Sequence, residues 1–321
     1  MRKRQTPDEP LVSILVANWN GKELLRTCLA SLRRKTRYSN YNVIVIDNGS
    51  SDGSVQFVEE NYPWVDLLIL GRNYGFAVGN NRGMKYAIEK YEPRYILLLN
   101  SDTEIVQEDW LRLVEIAESD SRIGVVGCQL IYPNGIVQYI GTRFEVGGLK
   151  FLNAESCTQF PKVFEVDAVL GACFLIKKEV IDRIGMFDEG FSPFYHEESD
   201  YCLRAHNAGY RVCISSDVKV VHLGGKSMAK VNAEYLYYVF KKNEIRFMLL
   251  NFPVTWLSRR LRYEVNTLLY YCSKRTGVRL TSYVKAWFTN LISLKEILLR
   301  RRERKIKLVK ESKHVSARQL A

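Results

Sequence analysis

Short apolar runs alternate with amphipathic stretches over roughly the first 120 residues of the chain. The runs lie at residues 11–17, 42–46, 65–70 and 95–99, and each is bounded by polar or turn-forming residues. Such runs are typical of strands that are buried on both faces of a sheet. Between them, as in residues 22–35, apolar positions recur at helical spacing. The alternation predicts an α/β fold with a mostly parallel central sheet flanked by helices.

The pattern is less regular after residue 123. The turn-rich stretch 130–165 predicts hairpins and loops that cover a substrate. Three acids in four residues, Glu197, Glu198 and Asp200, suit the start of a helix because its dipole favours negative charge there. The elements expected in this part are strands at 123–127, 166–176, 212–214 and 218–223, and helices at 178–184 and from residue 197.

A basic helical region follows. Residues 235–250, 256–271 and 283–300 mix apolar and basic residues at helical spacing. The whole chain carries +12, but residues 226–321 hold 22 Lys/Arg and 6 Asp/Glu, a net charge of +16, whereas residues 1–225 carry −4. This asymmetry predicts a tail at 1–10, a globular domain at 11–230 and a basic amphipathic helical region at 231–321. Such helices lie on anionic membrane surfaces.

Composition also limits the compartment. The seven cysteines are scattered without a CxxC pair, which indicates neither a zinc ribbon nor a disulfide framework and favours a reducing compartment. No apolar stretch is long enough to span a bilayer, and the basic start is followed by no cleavage region, so neither a spanning helix nor a signal peptide is expected. We therefore expect a cytoplasmic protein, peripheral on the inner face of the cell membrane.

Polar residues follow the buried strands. The run 95–99 ends in Asn100-Ser101-Asp102, and Asn18 and Asp47 follow two earlier runs. Right-handed crossovers place the carboxyl ends of parallel strands at one edge, where open α/β sheets bind ligands. Asp102 is therefore a candidate for holding a divalent cation against a diphosphate. The alternative is that it caps a helix expected near Gln107.

Three further positions have two interpretations each. His222 is either a second metal ligand or a structural histidine at a strand end. Asp47 either recognises a base or ribose, or caps the following helix. The acids at 197, 198 and 200 either supply a general base for an attacking hydroxyl, or form an exposed helix start.

Two common nucleotide-binding signatures are missing. A dinucleotide-binding unit needs G-x-G-x-x-G after the first strand, where this chain has Asn18-Trp19-Asn20-Gly21-Lys22. A P-loop signature is also missing. These absences argue against NAD binding and against a P-loop enzyme.

Taken together, eight motifs in order resemble family 2 glycosyltransferases of the GT-A fold, in the branch with many rhamnosyltransferases of cell-surface polysaccharides. The resemblance covers roughly residues 10–250. It implies a nucleotide-binding half at 11–127 and an acceptor-binding half at 128–230. The motifs are 12–20, Asp47–Asp52, Asn73–Ala77 with Gly79–Asn81, Asn100–Asp102, Gly171–Cys173, Gly185–Glu189, Glu197–Arg204 and Val221–Ser227.

The resemblance also implies roles for single residues. Asp102 and His222 correspond to metal ligands for Mn²⁺ or Mg²⁺, with Asn100 in place of the family's first Asp. Glu198 corresponds to the acid usually taken as the base, and Glu197 and Asp200 remain candidates beside it. Sugar or acceptor contacts are expected at Gly171, Ala172 and Cys173. Nucleotide-sugar contacts are expected at Ala17, Asn18, Asn20, Asp47, Asn48, Ser50, Arg72, Asn73, Gly75, Phe76, Asn80, Asn81, Asn100, Ser101 and Asp102.

The implied function is an inverting transfer of a sugar from a nucleoside-diphosphate donor, of the dTDP-rhamnose or UDP-sugar type, to a glycan or polyprenyl-linked glycan. An anionic membrane surface is the expected partner of the basic helices, and no nucleic acid is expected. A nucleotidyltransferase is the alternative enzyme, but the Gly-rich basic loop it needs after the first strand is missing. A non-catalytic basic protein that binds nucleic acid or membranes is the third interpretation.

Overall fold

A computed structural model describes residues 9–145, 148–153, 160–224, 231–273 and 277–305. The chain divides into two units. The first unit comprises Met1–Phe144, Leu149–Pro193 and Glu197–Lys230, and the second comprises Glu145–Gly148, Phe194–His196 and Val231–Ala321. Two short segments that the sequence analysis places in the globular domain, 145–148 and 194–196, thus belong to the second unit.

A ten-stranded mixed sheet forms the centre of the first unit, with the order β10-β12-β6-β11-β4-β1-β2-β3. In addition, β5 pairs with β12, β7 pairs with β6, and β8 and β9 form a separate two-stranded sheet. The strands are β1 Val12–Asn18, β2 Tyr41–Asp47, β3 Asp66–Ile69, β4 Tyr95–Asn100, β5 Thr103–Ile105, β6 Ile123–Ile131, β7 Val137–Tyr139, β8 Thr142–Glu145, β9 Gly148–Phe151, β10 Val163–Glu165, β11 Cys173–Lys177 and β12 Arg211–His222.

Helices cover this sheet. Helix α1 shows why the sequence forms them: Leu25, Cys28, Leu29 and Leu32 recur at helical spacing and are fully buried, while basic residues occupy its last turn, where they suit the dipole. The helices of the first unit are α1 Lys22–Lys35, α2 Ser54–Asn61, α3 Phe76–Tyr91, α4 Leu113–Glu118, α5 Lys178–Ile184 and α6 Glu197–Asn207, with 3₁₀ turns at Trp110–Arg112 and Glu189–Phe191.

Strand direction positions the polar residues. Strands β1, β2, β3 and β4 are parallel, so their carboxyl ends meet at one edge. Strand β11 runs antiparallel to β4, with Cys173 opposite Leu99, which brings the residues before β11 to that same edge. Strand β12 ends with His222 opposite Thr103 of β5. The edge predicted from right-handed crossovers is therefore present, and antiparallel strands contribute to it as well.

Some sequence expectations differ from the structure. The strand expected at 166–176 begins only at Cys173, as β11. The short β5 follows Asp102 directly and the next helical turn begins at Trp110, so Asp102 caps no helix. The two strands expected at 212–214 and 218–223 are one strand, β12, which carries a register irregularity between Ser215 and Lys219 opposite β6. That irregularity interrupts the apolar alternation, which is why the sequence pattern divides the strand.

The second unit is helical, with α7 Ala233–Asn251, α8 Val254–Ser273 and α9 Gly277–Ile292, followed by helical residues 294–305. Charged side chains are buried inside it. Lys241 Nζ lies 2.7 Å from Glu244 Oε2 and 3.1 Å from Glu264 Oε1, and Arg260 pairs with both acids. The Tyr283 hydroxyl donates to Glu264 Oε2 at 2.5 Å. Each charge in this buried cluster therefore faces an opposite charge.

An aromatic group in the same unit encloses His196. The His196 ring stacks on the Phe247 ring with centroids 5.8 Å apart, and its centroid lies 5.0 Å from that of Phe240. The Asn243 amide donates to the carbonyls of Phe194 and Tyr195, and both Tyr195 and His196 have positive φ angles, 78° and 74°. Burial lowers the pKa of His196 to about 4, so the ring is neutral at pH 7.

Among the described residues, no helix combines the length and the apolar character that a crossing of the bilayer requires.

Candidate active site

Asp102 and His222 lie side by side. Asp102 Oδ1 is 3.3 Å from His222 Nε2, and the two side chains are only 8% and 13% exposed. The pairing of β5 with β12 creates this contact, and the Leu223 amide also donates to the Asp102 carbonyl at 3.0 Å. On the far side of the imidazole, Nδ1 lies 2.7 Å from Gln138 Oε1. A proton on Nδ1 thus binds Gln138 and leaves the Nε2 lone pair facing Asp102.

This donor pair fits a divalent cation. Two ligands at right angles on a metal with bonds near 2.1 Å lie about 3 Å apart, close to the separation of these atoms. A carboxylate and an imidazole both bind Mn²⁺. Within the described ranges no group of three or more His, Cys, Asp or Glu side chains is placed to hold a metal. A cation here would complete its coordination with oxygens of a bound ligand or of water.

Gln138 is a contributor that sequence reasoning misses. It lies in β7, within a stretch that the sequence marks only as turn-rich. Gly224 packs against it so closely that a Cβ at this position would approach Gln138 Nε2 to 2.6 Å. No local sequence signal identifies the glutamine, because its role depends on pairing between β6 and β7 and on the position of β12.

The ends of β1 and β2 present buried acceptors. Asn18 is 2% exposed, and its amide donates to Ser50 Oγ at 3.2 Å. Asp47 is also 2% exposed, and one carboxylate oxygen accepts from the Gly49 and Ser50 amides. The remaining oxygens, Asn18 Oδ1 and Asp47 Oδ1, are buried and have no hydrogen-bond partner among the described residues. Buried acceptors of this kind are costly unless a ligand or water satisfies them.

Other predicted nucleotide contacts shape the loops around these acceptors. Asn20 has a positive φ of 50°, and its Oδ1 accepts from the Ser51 amide at 2.7 Å. Asn48 donates to Asn73 Oδ1 and to the Gly75 carbonyl, and it accepts from the Tyr74 amide. These asparagines thus fix the backbone at the strand ends.

The start of α3 is closely packed. Gly75 has φ 82°, and a Cβ on it would come within 2.4 Å of the Pro193 carbonyl oxygen, to which the Phe76 amide donates at 2.7 Å. Asn80 donates to the Phe76 carbonyl. Asn81 binds the backbone of Phe187 in both directions. The structure gives Asn80 and Asn81 packing roles inside the protein.

Glu198 reaches the edge of the sheet from α6. Its Oε1 accepts from the Gly171 amide at 3.1 Å, and the next residue, Ala172, accepts from the Asn100 amide at 3.1 Å. A Cβ on Gly171 would come within 2.6 Å of the Phe76 ring. Desolvation raises the pKa of the Glu198 carboxyl, and the amides of Glu198 and Gly171 offset part of that rise. A carboxylate with a raised pKa suits proton abstraction near neutral pH.

The two neighbouring acids differ from Glu198. Asp200 is fully buried, and its Oδ2 lies 2.9 Å from Arg204 Nε, one helical turn away. Arg204 also donates to the carbonyls of Ile184 and Met186, so this ion pair fastens α6 to the end of α5. Glu197 is 2% exposed at the first position of α6.

The remaining candidates have distinct positions. Asn100, at the end of β4, is half-buried, and Ser101 is buried beside Asp102. Ala17 pairs with Asn100 across β1 and β4. Cys173 is buried in β11. The exposed Arg72 stacks its guanidinium on the Tyr74 ring at 4.5 Å.

Comparison with known proteins decides the family. The model of glycosyl transferase family 2 matches residues 13–185, more than half of the chain. The chain belongs to glycosyl transferase family 2. This membership confirms the resemblance seen in the motifs, and it confirms the expectation of an enzyme of the glycosyltransferase class.

Among its relatives, this family 2 member is 25% identical to an N-acetylglucosaminyl-diphospho-decaprenol L-rhamnosyltransferase of Mycobacterium tuberculosis, over 95% of the chain and 99% of the relative. It is 25% identical to the dTDP-rhamnosyl transferase RfbF of Shigella flexneri, over 63% of the chain and 67% of the relative. Other relatives are longer: the chain spans 23% of the uncharacterized protein y4gI of Sinorhizobium fredii, at 29% identity over 63% of the chain.

Solved structures establish the GT-A fold of the family 2 chain. It resembles GalNAc-T7 with UDP, GalNAc and Mn²⁺, with a TM-score of 0.61 and 16% identity over 76% of the chain and 48% of that protein. It also resembles the Pyrobaculum calidifontis mannosyltransferase PcManGT in complex with GDP-Man and Mn²⁺, with a TM-score of 0.55 and 15% identity over 95% of the chain and 87% of that protein. The predicted fold class is confirmed.

Proposed function

We propose that the protein transfers a hexosyl group, with inversion, from a nucleoside-diphosphate sugar to a hydroxyl of a glycan or lipid-linked glycan. The observation that carries the proposal is the contact of Asp102 with His222 at the strand edge. The buried acceptors of Asn18 and Asp47 belong to strands β1 and β2 of the same sheet, and they suit donors on a base or ribose.

Asp102 and His222 would hold Mn²⁺ or Mg²⁺, with Gln138 orienting the imidazole. The bound cation would neutralise charge on the departing diphosphate. Support comes from the two similar structures, which were solved with Mn²⁺. The polar residues at the strand ends would bind and orient the donor.

Glu198 is the proposed general base. The acceptor oxygen attacks the anomeric carbon and forms the new glycosidic bond as the bond from that carbon to the diphosphate oxygen breaks. The acceptor proton passes to the Glu198 carboxylate. The Gly171 amide donates to Oε1 of that carboxylate and not to Oε2. Asp200 has a structural role in this scheme, because its carboxylate already forms an ion pair with Arg204.

The acceptor and the site of action form the second part of the proposal. A lipid-linked glycan acceptor would be presented at a membrane, and the basic residues of the region 231–321 would attach the protein to its anionic cytoplasmic face. Support comes from the mycobacterial relative, whose name includes a decaprenol-linked substrate and which is matched over 95% of the chain. A donor of the dTDP-rhamnose type agrees with the names of both rhamnosyltransferase relatives.

The test is a panel of nucleotide sugars incubated with the full chain, with and without Mn²⁺ or Mg²⁺, while release of nucleoside diphosphate is measured. We expect metal-dependent release from one donor class and its loss in Asp102→Asn. Asp182→Asn is the matched control, because Asp182 is 56% exposed and belongs to α5. Release that is independent of metal, or equal in Asp102→Asn and wild type, would contradict the proposed site.

A further inference from the structure

Helix α9 has apolar residues on both of its faces. Its inward face is mixed: Tyr283 and Ala286 are buried there beside Ser282 and Asn290, and the Asn290 amide donates to the Lys242 and Ala286 carbonyls. Its outward face includes large apolar residues, namely Val284, Phe288, Leu291 and Ile292, which are 52%, 61%, 65% and 70% exposed. A helix that only packs on a protein core has a polar outward face.

These four outward residues, which we call the apolar stripe, recur at i, i+4, i+7 and i+8, so they share one side of the helix. Leu298 and Leu299, in the helical residues that follow, are each 52% exposed. Single exposed apolar residues need no explanation, but a continuous row of them marks an interaction surface.

The charges beside the apolar stripe indicate which partner fits. Lys285, Lys295, Arg300 and Arg302 are exposed along the same part of the chain. Within the described residues 277–305 the only acids are Glu296, which pairs with Arg246, and Glu303. An apolar face bordered by cations is the composition of helices that lie in the interface of an anionic bilayer.

We propose that the apolar stripe inserts into the interfacial region of an anionic membrane, and that the bordering lysines and arginines bind lipid headgroups. This deepens, and rests on, the proposed use of a lipid-linked acceptor. Attachment by insertion differs from purely electrostatic attachment, because hydrophobic insertion persists when salt screens the charges. A second copy of the chain fits the stripe less well, since the same basic residues would face each other and repel. Nucleic acid would contact the basic residues but would leave the apolar stripe exposed to water.

The experiment is sedimentation of the full chain with vesicles of phosphatidylcholine, alone or mixed with phosphatidylglycerol, in low and high salt. We expect binding to the anionic vesicles that is weakened but retained in high salt. The variant F288S/L291S should lower the partition coefficient roughly a hundredfold or more, since it withdraws two large apolar side chains from the bilayer. The matched control is I69S/I136S, which changes two apolar residues that are 52% and 55% exposed in the first unit.

A second measurement does not depend on loss of binding. In Phe288→Trp the new indole should be quenched by vesicles that contain brominated acyl chains, because insertion brings the ring into contact with them. Equal sedimentation of F288S/L291S and wild type in both salts would overturn the inference, as would an unquenched indole in vesicle-bound protein. So would a wild-type dimer that F288S/L291S dissociates while vesicle binding is unchanged.

Failure of this inference and failure of the proposed function are distinguishable. Metal-dependent release of nucleoside diphosphate is measured without vesicles, and F288S/L291S should retain it. Normal release with no membrane binding refutes insertion alone, whereas absence of release in wild type refutes the proposed function alone.

Discussion

Two groups of buried polar side chains, one in each unit of the chain, are satisfied in opposite ways. At the sheet edge of the first unit, Asn18 Oδ1 and Asp47 Oδ1 are buried with no hydrogen-bond partner among the described residues. In the second unit the buried Lys241 pairs with both Glu244 and Glu264. Open acceptors are retained where a ligand is to supply the missing donors, whereas a closed ion cluster leaves nothing for a ligand to bind. Burial alone thus does not identify a site, and neither does a missing partner, since the buried ring nitrogens of His196 also lack one among the described residues. What distinguishes the sheet edge is that two open acceptors lie at the ends of neighbouring strands.

The largest expected effect concerns the site at the sheet edge of the first unit, where the open acceptors lie. Glu198→Gln should lower the rate of sugar transfer by about 10²–10⁴-fold, because the amide cannot accept the acceptor proton. The melting temperature should stay the same or rise, since a desolvated charge is removed. Transfer is measured in single turnover with the donor identified by the panel, and the exposed Glu59→Gln serves as control.

The pH dependence sharpens the same test. The base acts when deprotonated, so the rate should rise with pH and level off above the raised pKa of Glu198. The inflection should therefore lie above the ordinary glutamate value. A profile that is flat across that range, or retention of transfer in Glu198→Gln, would remove this residue from the mechanism.

The next effect concerns the contribution of the buried ion cluster in the second unit to stability. Lys241→Met should lower the free energy of unfolding by about 3–5 kcal/mol, because two buried carboxylates lose a common partner. Urea denaturation of the full chain measures the change. Lys85→Met removes an exposed pair with Glu89 and should cost at most about 0.5 kcal/mol. Equal losses in the two variants would mean that the cluster is not sheltered from water.

A smaller effect is expected from the residue behind the metal pair. Gln138→Leu should weaken Mn²⁺ binding about ten- to a hundredfold, because the imidazole loses the partner that fixes its orientation. Calorimetric titration of Mn²⁺ in the presence of nucleoside diphosphate measures the affinity. Gln56→Leu, on the exposed face of α2, is the control. An unchanged affinity would show that His222 is positioned by its strand alone.

The smallest expected effect uses His196, a buried polar group in the second unit. Its pKa is about 4 in the folded protein and about 6.5 in the unfolded chain, so the unfolded chain binds the proton first as the pH falls. Stability from this residue is complete above about pH 6.5 and is lost toward pH 4. Between pH 7.5 and pH 5 the loss is about 2 kcal/mol.

Comparing wild type with His196→Phe isolates the contribution of the histidine to the pH dependence of stability. The variant keeps an aromatic ring beside Phe240 and Phe247. Chemical denaturation at the two pH values should show a steeper loss in wild type. Parallel losses in the two proteins would place the acid sensitivity elsewhere.

Sequence reasoning succeeds where local patterns determine structure. Strands β1 to β4 and helix α1 are predicted to within one or two residues, because apolar runs mark the strands and helical spacing marks the helix. The runs of β1 and β4 are buried on both faces, whereas β3 is only partly buried. Asp102 and His222 are predicted through strand-end position and motif resemblance, and the structure places them in contact. The pairing of Asp200 with Arg204 also has a sequence signal, since the two residues are separated by one helical turn.

The failures involve contacts between distant parts of the chain. Strand β5 has only three residues and forms because β12 lies beside it. Gln138 gains its role from the same arrangement, and the hydrogen bond of the Gly171 amide to Glu198 connects residues 27 positions apart. Such contacts depend on tertiary packing, which no window of local sequence encodes.

The backbone bond between Phe76 and Pro193 has a consequence for the order of events in a reaction cycle. It joins the turn that begins α3 to a segment more than a hundred residues later, and Gly75 leaves no gap into which either could shift. The start of α3 and the segment at Pro193 are therefore fixed to each other before any substrate binds. Little of a substrate's binding energy is then spent on ordering these two segments.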